Sequence, residues 1–536
     1  MLHNLVLAVL VLGYPGDAKR PEPIEPLIHD ASDPFFAAEH VTRIRLKVEP
    51  DQLAKLKESP REFVKAALQE DDLPAVAEVA VKLKGAAGSF RQWDERPALT
   101  IQMRKFRKDV TFHDLRKFHL NNSVQDETYL DEMLSADLFR RAGVPAARVS
   151  YARVWLNDRD VGFYVLKEGF DELFLKRWFA NAGGNLYDGG FLQDLDAALE
   201  RDEGDGPEDR KDLKAIVAAA TSTNRAERAR RIEGLVDMDA FLSFMVVERL
   251  IGHWDGYVDK ANNYRIYFDP GRGKAVFLPH GMDQVFGDPD GNLLGRSDRI
   301  VGSAIKQSPD LWRRYQARAE QLMPLVAPAD PLLRRVDAVD RWIRPSIEGA
   351  DASLASRRAQ QVVSLKERLV ARAESLQRQL AEPRESVVAF DDRGVFPLTG
   401  WKTLVKAGTP TLDEADMKGG IKALRIQAGG NEAVEASYRC RVTLEAGRYT
   451  LKTEMQSDKV VPWNQPNGGV GVRLSGVMRG RHLTGTVARS PVNYAFQVTE
   501  AEQTVELVLE LRAVAGQVWF RKDSLQLVRE KPGRGR

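Results

Sequence analysis

The stretch that decides the fold is His253-Trp-Asp-Gly-Tyr257, followed by Asn262-Asn-Tyr-Arg-Ile-Tyr-Phe268 and, after a Pro-Gly turn, by Lys274-Ala-Val-Phe-Leu-Pro-His-Gly-Met-Asp283. Alternating apolar residues on both sides of the turn predict a β-hairpin. A hairpin brings the residues at its open end together. We therefore expect Asp255, the asparagine pair and Asp283 to converge on one pocket.

The side chains of this stretch suit phosphate chemistry. Carboxylate and amide oxygens are hard ligands for Mg²⁺ or Mn²⁺ that bridges phosphate oxygens. A carboxylate that does not bind the metal can orient a hydroxyl nucleophile. The order Asp, Asn, hairpin, Asp parallels that of a phosphoryl-transfer site. Spacing alone gives weak support, since Asp and Asn are also the commonest turn residues.

The regions around the hairpin differ in their hydrophobic pattern. Residues 40–168 alternate between apolar and polar and predict a sheet crossed by one amphipathic helix, from Asp126 to Ala142. Residues 169–383 carry mostly helical spacing. Short alternating strands between Gly, Pro and Asn turns predict an antiparallel β-sandwich over residues 384–536. The expected fold class is α+β.

Composition sets broad limits on function. The 536 residues predict two or three domains. A formal net charge of +2 gives no indication of nucleic-acid binding. The single cysteine, Cys440, allows no internal disulfide, and its strand-like surroundings indicate a small packed residue.

The N-terminus predicts export. The apolar run from Leu5 to Leu12 is too short for a bilayer span, which needs about 20 residues. It fits a signal peptide over residues 1–18, followed by a Pro-rich linker over residues 19–39. We expect a secreted, periplasmic or cell-surface protein without a membrane span. A wrongly assigned start or a buried first strand is the alternative, because no Lys or Arg precedes the apolar run.

Further ordered motifs lie upstream of the hairpin: Phe112-His-Asp-Leu-Arg-Lys-Phe-His-Leu-Asn-Asn-Ser-Val-Gln-Asp126, Arg140-Arg-Ala-Gly-Val-Pro-Ala-Ala-Arg148, Val154-Trp-Leu-Asn-Asp158, Gly162-Phe-Tyr-Val-Leu-Lys-Glu168 and Gly184-Asn-Leu-Tyr187. With the hairpin stretch, they resemble the CotH family of atypical, ATP-dependent protein kinases over residues 40–380. The resemblance implies a divergent bilobal protein-kinase-like fold. Residues 40–168 would form the small N-lobe and residues 169–383 the helical C-lobe, with ATP between them.

The resemblance also implies roles for the hairpin residues. Asp255 resembles the catalytic Asp of the family, and Asp283 resembles its metal-binding Asp. Asn262 or Asn263 is the expected amide ligand, and the sequence does not choose between them. Either lies further from Asp255 than the four intervening residues of ordinary kinases.

Nucleotide contacts are expected from the small lobe. Glu132, midway along its helix, would pair with a phosphate-binding lysine, for which Lys84 and Lys105 are the candidates. Leu166 and Glu168 lie where the chain leaves the last small-lobe strand, at the expected adenine-contacting hinge.

The predicted function is metal-dependent transfer of the γ-phosphoryl of ATP to Ser or Thr hydroxyls of a protein partner. One alternative is a non-catalytic surface scaffold. In that case the C-terminal part, which looks like a carbohydrate-binding module, would bind a glycan through an exposed aromatic residue such as Trp401, Trp463 or Trp519. A second alternative is a zinc hydrolase using His253 and His280, although tight ligand spacing is lacking and packing is the favoured role of both.

Overall fold

The fold comes from a computed structural model that describes residues 21–530, apart from 38, 87, 296, 350, 351, 382–385, 418, 419, 464–467 and 478–482. The chain divides into two compact units. The first comprises Met1–Ser303 and Arg313–Ala381, and the second comprises Ala304–Trp312 and Glu382–Arg536. Helices and strands both contribute, so the chain is α+β. The predicted signal peptide, residues 1–18, lies outside the described residues.

Seven strands of the first unit form a closed barrel: β1 (Val41–Lys47), β2 (Val64–Glu70), β3 (Val76–Lys84), β4 (Ala98–Gln102), β5 (Lys117–Asn121), β6 (Val149–Leu156) and β7 (Arg159–Glu168). All neighbours are antiparallel except β1 and β6, which run parallel and close the barrel. The predicted sheet is observed, and its closure into a barrel, which the sequence did not predict, follows because β1 pairs along both of its edges. Alternate apolar residues of the strands, such as Leu99 and Leu166, fill one core.

A second sheet contains the hairpin, in the order β11 (Lys274–Pro279), β10 (Tyr264–Asp269), β8 (Leu186–Asp188) and β9 (Glu200–Glu203). The predicted hairpin is observed, with register from Tyr264↔Pro279 at the open end to Asp269↔Lys274 at the turn. The residues before β10 and after β11 therefore leave the sheet at the same end.

The helices are α1 (Ser32–Ala37), α2 (Pro50–Glu58), α3 (Asp131–Arg141), α4 (Glu172–Trp178), α5 (Lys211–Ala220), α6 (Arg225–Leu235), α7 (Met238–Leu250), α8 (Tyr257–Lys260), α9 (Ile300–Lys306), α10 (Pro309–Leu322), α11 (Asp330–Glu348) and α12 (Ala352–Ala381). Within the described part of the chain, none has the length and apolar character needed to span a membrane.

Helix α3 begins five residues later than the sequence predicts. The carboxylate of Asp126 accepts hydrogen bonds from the backbone N–H groups of Thr128, at 2.8 Å, and Asp131, at 3.1 Å. Tyr129 between them adopts a left-handed backbone conformation, with φ of 62°. Asp126 thus holds a turn ahead of the helix, and this turn places Asp131 and Glu132 in the first helical turn.

The buried guanidinium of Arg372 on α12 holds the end of α7 and a later loop together. It donates to the carbonyl oxygens of Arg249 at 2.6 Å and Leu250 at 3.2 Å, at the end of α7. It also donates to those of Pro289 at 2.9 Å and Gly291 at 2.5 Å. The first pair precedes Asp255 in the chain and the second follows Asp283, so one side chain braces both segments.

A buried carboxylate, Glu248 on α7, fixes the start of α8. It accepts hydrogen bonds from the backbone N–H groups of Tyr257, at 3.0 Å, and Val258, at 2.8 Å. Burial raises its pKa to about 8, although these hydrogen bonds lower it in part. A Cβ at Gly256 would lie 2.5 Å from Glu248 Oε1, so the loop that carries Asp255 passes where only glycine fits.

The C-terminal unit contains antiparallel strands in one seven-stranded sheet: β12 (Val395–Pro397), β13 (Lys402–Ala407), β14 (Thr411–Met417), β15 (Ile421–Pro462), β16 (Gly469–Leu474), β17 (Gly485–Arg521) and β18 (Gln526–Arg529). The two long strands, β15 and β17, pair along most of their length and enclose one apolar core. The antiparallel pairing agrees with the prediction. The strands of the predicted sandwich belong to one hydrogen-bonded sheet.

Side chains singled out in this unit are placed as follows. Cys440 is buried, its thiol donates to the carbonyl oxygen of Thr399 at 3.2 Å, and burial raises its pKa to about 11. It is therefore a packed residue. Trp401 packs against the core, whereas Trp463 is 39% exposed. Trp519 is half-buried. Glycan binding through an exposed aromatic residue stays a prediction.

We expect Arg372→Met to lower the free energy of unfolding by at least about 2 kcal/mol, because buried carbonyl oxygens lose their donors. Arg378→Met on the same helix is the control, since Arg378 is 63% exposed. It should change the free energy by about 0.5 kcal/mol or less. Urea denaturation of the full chain measures both variants, and equal losses would contradict the bracing role.

The raised pKa of Glu248 predicts a pH dependence. Protonated Glu248 stabilises the folded state fully below its unfolded pKa of about 4.5, and this stabilisation is lost as pH rises through about 8. Glu248→Gln removes this titration, so the melting temperature of the variant should fall less than that of the wild type between about pH 6 and pH 9. Glu58→Gln, an exposed change on α2, should keep the wild-type slope. Parallel slopes in all three proteins would refute the assignment.

Candidate active site

The candidate site begins at the open end of the β10–β11 hairpin. There, Asn262 Nδ2 donates to Asp255 Oδ2 at 3.0 Å. Asn263 Nδ2 donates to the same carboxylate oxygen at 2.9 Å and to the carbonyl oxygen of Asp255 at 3.0 Å. The backbone N–H of His280, just past β11, donates to the carbonyl oxygen of Asn263 at 3.0 Å. Both asparagines therefore orient Asp255, and each keeps its amide oxygen for another partner.

Glycine is required where the two ends of the hairpin meet. Gly281 has a φ of 55°, and a Cβ there would lie 2.3 Å from Asn263 Oδ1. Asn263 itself has a φ of 50°, a conformation that asparagine tolerates better than most residues. The close approach of Gly281 therefore fixes the position of the Asn263 amide.

Helix α3 holds the segment that carries Asp283. Glu132 Oε1 accepts from the backbone N–H of Met282 at 3.1 Å, and Asp131 Oδ2 accepts from that of Val285 at 3.3 Å. Burial and, after it, the nearby carboxylate of Glu132 raise the pKa of Asp283 to about 6. Asp283 is thus a buried carboxyl group, and a bound cation would stabilise its charged form.

A buried ion pair joins the barrel to α3. Lys167 Nζ on β7 lies 2.7 Å from Glu132 Oε2, and both side chains are buried. The side chain of Lys167 points away from the barrel core, whereas that of its neighbour Leu166 lies in the core. The pairing predicted for Glu132 therefore exists with a lysine that sequence reasoning missed. Its only signal in the sequence was a lysine directly after the apolar run Phe163-Tyr-Val-Leu166 of β7.

The two lysines that the sequence proposed differ in position. Lys84 Nζ donates to Asn121 Oδ1 at 2.8 Å. Burial and, after it, Lys167 lower the pKa of Lys84 to about 8, and Glu132 and Asp283 oppose this shift, which places Lys84 beside the site. It does not take the place of Lys167 in the ion pair with Glu132.

Lys105 is not at the site. The register of β3 with β4 pairs Lys84 with Ala98 at one end and Ala80 with Gln102 at the other. Four strand residues separate these ends, or about 13 Å. Lys105 follows the far end, is exposed, and has its Nζ 5.5 Å from the ring centroid of Phe63. The prediction of Lys105 as a phosphate-binding lysine was wrong, because the direction of β4 places Lys105 at the end of the strand that lies far from Lys84.

The predicted hinge side chains have other partners. Leu166 lies in the barrel core. The buried carboxylate of Glu168 is 2.7 Å from Arg148 Nη2 and 3.4 Å from Arg177 Nε. Both arginines also bind Asp33, which joins this cluster to the N-terminal segment. Neither hinge side chain is free to contact a nucleotide in this structure.

Two buried histidines flank the site without forming a metal centre. Burial lowers the pKa of His253 to about 4. Burial likewise holds the pKa of His280 well below its usual value, and Lys167 and Arg265 lower it further. Both imidazoles are therefore neutral. The described residues contain no group of three or more His, Cys, Asp or Glu side chains that could hold a metal ion.

The site combines cations with carboxylates. Burial, followed by Lys84, Lys117 and Lys167, holds the pKa of His119 well below its usual value, which places His119 near these ammonium groups. On the other side lie Asp255 with its two amides and Asp283 with its raised pKa. Oxygen ligands beside ammonium groups are the donor set that binds a divalent cation together with phosphate oxygens. The arrangement can thus hold a metal–polyphosphate group next to a free carboxylate oxygen.

Known spore coat proteins and invasins are similar in sequence to parts of this chain. Spore coat protein homolog 1 of Rhizopus delemar is 30% identical over 185 residues, which cover 32% of this chain and 30% of that protein. Inner spore coat protein H of Bacillus subtilis is 24% identical over 309 residues, which cover 54% of this chain and 84% of that protein. Invasin CotH7 of Rhizopus delemar is 28% identical over 183 residues, 32% of this chain and 31% of that protein. The chain thus spans about a third of these fungal relatives.

One solved structure, TmCBM61 in complex with β-1,4-galactotriose, matches 25% of this chain and 91% of its own. Its identity of 16% and TM-score of 0.19 are too low to support a conclusion. The family model described as CotH kinase protein matches residues 81–358, just over half of the chain. This range contains every residue of the site, from Lys84 on β3 to Asp283, and the chain belongs to the CotH kinase protein family.

Proposed function

We propose that this protein transfers the γ-phosphoryl of ATP to Ser or Thr hydroxyls of a protein partner, with Mg²⁺ or Mn²⁺. The observation that carries the proposal is the meeting of three groups at one hairpin end. These are Asp255 held by two amides, Asp283, and the buried pair of Lys167 with Glu132. Family membership supports the same chemistry.

Asp255 would orient the acceptor. Both asparagines donate to Oδ2, so Oδ1 is the oxygen available to accept the proton of a Ser or Thr hydroxyl. The rigid hold by Asn262 and Asn263 fixes that oxygen before the acceptor arrives, which lowers the cost of orientation.

The metal would bind Asp283 and an amide oxygen of Asn262 or Asn263. The pKa of Asp283, which is raised first by burial, fits this role, because a cation would stabilise the charged form of this buried carboxyl group. When bound, the metal supplies positive charge to the phosphate oxygens. Lys167 would bind phosphate oxygens through its ammonium group while Glu132 holds it in place, and Lys84 adds a second positive charge.

The proposed fold is bilobal and kinase-like. The closed barrel with α3 is the small lobe, and residues from α4 to α12 form the helical lobe. ATP would lie between them, against the outer face of β3, β5 and β7. That face carries Lys84, His119 and Lys167, which are on the opposite side of their strands from the barrel core. The polar character of a buried face supports this placement.

The protein is proposed to act at the cell surface or outside the cell. Its relatives are named spore coat proteins and invasins. The proposed substrate is therefore a surface or coat protein with exposed Ser or Thr residues.

We expect ATP labelled at its γ-phosphate to label the purified chain, or proteins of an extract from its own cells, in the presence of Mg²⁺ or Mn²⁺. Asp255→Asn and Asp283→Asn should each reduce labelling at least about a hundredfold, because transition-state positioning is lost. Asp259→Asn is the matched control, since this carboxylate lies four residues from Asp255 and pairs with Arg249 at the surface.

Equal labelling by the wild type and both site variants would contradict the assigned roles. A lack of labelling by the wild type, with no rise in melting temperature on adding ATP and Mg²⁺, would favour a non-catalytic surface-binding protein.

The structure-based choice of lysine gives a separate prediction. Lys167→Met should weaken ATP binding and reduce transfer at least about a hundredfold. Lys105→Met should leave both unchanged, because Lys105 is exposed at the far end of β4. Binding is measured by calorimetric titration with ATP and Mg²⁺.

Losing Lys167 leaves Glu132 buried and unpaired, which costs about 3–5 kcal/mol. The double variant Lys167→Met with Glu132→Gln avoids this cost. If the double variant folds like the wild type and transfers phosphate at the wild-type rate, the assignment of Lys167 fails.

A further inference from the structure

A strap, residues 24–36 of the N-terminal segment, lies across the junction between the barrel and the helical part of the first unit, which begins at α4. Near its start, Ile24 packs against the core that Phe170 and Phe174 form with the second sheet. At its other end, α1 places Phe35 in the barrel core. The strap is therefore anchored in two hydrophobic cores, one on each side of the junction.

Two buried arginines bind carboxylates from the middle of the strap. Arg177 on α4 is 1% exposed and binds Asp30 Oδ2 at 2.5 Å and Asp33 Oδ1 at 2.8 Å. Arg148, which directly precedes β6 of the barrel, binds the same oxygen of Asp33 at 2.7 Å. A single carboxylate oxygen of the strap thus joins the start of a barrel strand to a helix on the other side of the junction.

Backbone hydrogen bonds hold the strap on the same two sides. The backbone N–H of Leu27 donates to the carbonyl oxygen of Arg177 on α4 at 2.7 Å. The backbone N–H of Ala31 donates to Asp114 Oδ2, in the barrel loop before β5, at 3.1 Å. Residues 24–30 belong to no helix or strand, so these bonds and the ion pairs fix their path.

The chain itself crosses the junction in three residues, 169–171, between the end of β7 and the start of α4. A connection of this kind can act as a hinge, because a few backbone angles absorb the rotation of the parts on either side. Such a rotation would move Arg177 relative to Arg148 and separate Asp33 from one of them. Breaking a buried ion pair is strongly unfavourable, so the strap opposes the rotation.

We propose that the strap fixes the angle between the barrel and the helical part, with Asp30 and Asp33 as positioning residues for the candidate active site. Lys167 belongs to the barrel, whereas Asp255 and Asp283 belong to segments beyond the junction. The angle therefore contributes to the distance between the Lys167 ammonium group and the two site carboxylates. The role in phosphoryl transfer rests on the proposed function, whereas the restraint on the hinge does not.

The test measures the distance between two spin labels in the full chain, one at Leu73→Cys between β2 and β3 and one at Ala218→Cys on α5. Both positions are exposed, and the native Cys440 is buried, so its thiol does not take a label. The chain with no other change should give one narrow distance distribution by pulsed electron paramagnetic resonance. Asp30→Asn with Asp33→Asn should shift the mean distance, or widen the distribution, by about 2 Å or more.

Glu25→Gln is the matched control, because it removes an exposed carboxylate of the same strap and should leave the distribution unchanged. Circular dichroism and melting temperature establish which variants fold. If the double variant does not fold, adding Arg177→Met removes the surplus buried cation and leaves Arg148 paired with Glu168 at 2.7 Å. The proposal is overturned if a folded variant without both aspartates keeps the wild-type distribution, or if Glu25→Gln changes it equally.

Phosphoryl transfer gives a second readout. The folded variants without both aspartates should lower kcat/KM for ATP at least about tenfold and raise KM, because the groups of the barrel and the hairpin are no longer held at a fixed distance. Glu25→Gln should match the wild type. Wild-type kinetics in the aspartate variants would overturn the positioning role. If the wild type transfers no phosphate, that role fails together with the proposed function, while the label distances still decide whether the strap restrains the hinge.

Discussion

The buried ion pair between Lys167 and Glu132 is the interaction on which the first unit depends. Removing both charges from water is costly, and further hydrogen bonds to the pair offset part of that cost. Glu132 makes such a bond by using its second oxygen to hold the backbone N–H of Met282. One carboxylate therefore sets the distance between the barrel, α3 and the segment of Asp283. Movement of any of the three parts would expose or separate a buried charge.

Other buried side chains around the site also bind backbone groups of neighbouring segments. Glu248 binds two backbone N–H groups at the start of α8, and Arg372 binds four carbonyl oxygens, two at the end of α7 and two in the loop after Asp283. Loops and helix ends lack a full set of backbone hydrogen bonds, so their buried backbone groups need other partners. Here buried polar side chains from α7 and α12 provide them. The loops that carry the chemistry are held by side chains of rigid helices, which suits groups that must be positioned before a substrate binds.

Local patterns predicted the hairpin and the convergence at its open end, because alternation and a Pro-Gly turn act over a few residues. The same reasoning missed Lys167 and chose Lys105 as a candidate, since the partner of a buried charge depends on which strands become neighbours. Barrel closure was missed for the same reason: β1 pairs with β6 across more than a hundred residues. The late start of α3 depends on the side chain of Asp126, which the helical period of the following residues does not reveal.

The parallel pairing of β1 with β6 also constrains the order of events during synthesis. Val41 pairs with Tyr151, and β7 joins β6 to β5, so the barrel stays open until both β6 and β7 have left the ribosome. Until then β1 presents an unpaired edge, the feature that favours association with other chains. Closing a loop of this length is entropically unfavourable and slow compared with forming the β10–β11 hairpin. If the chain crosses a membrane starting from its N-terminus, the same order applies on the far side. There β1 would keep an unpaired edge until β6 and β7 had also crossed.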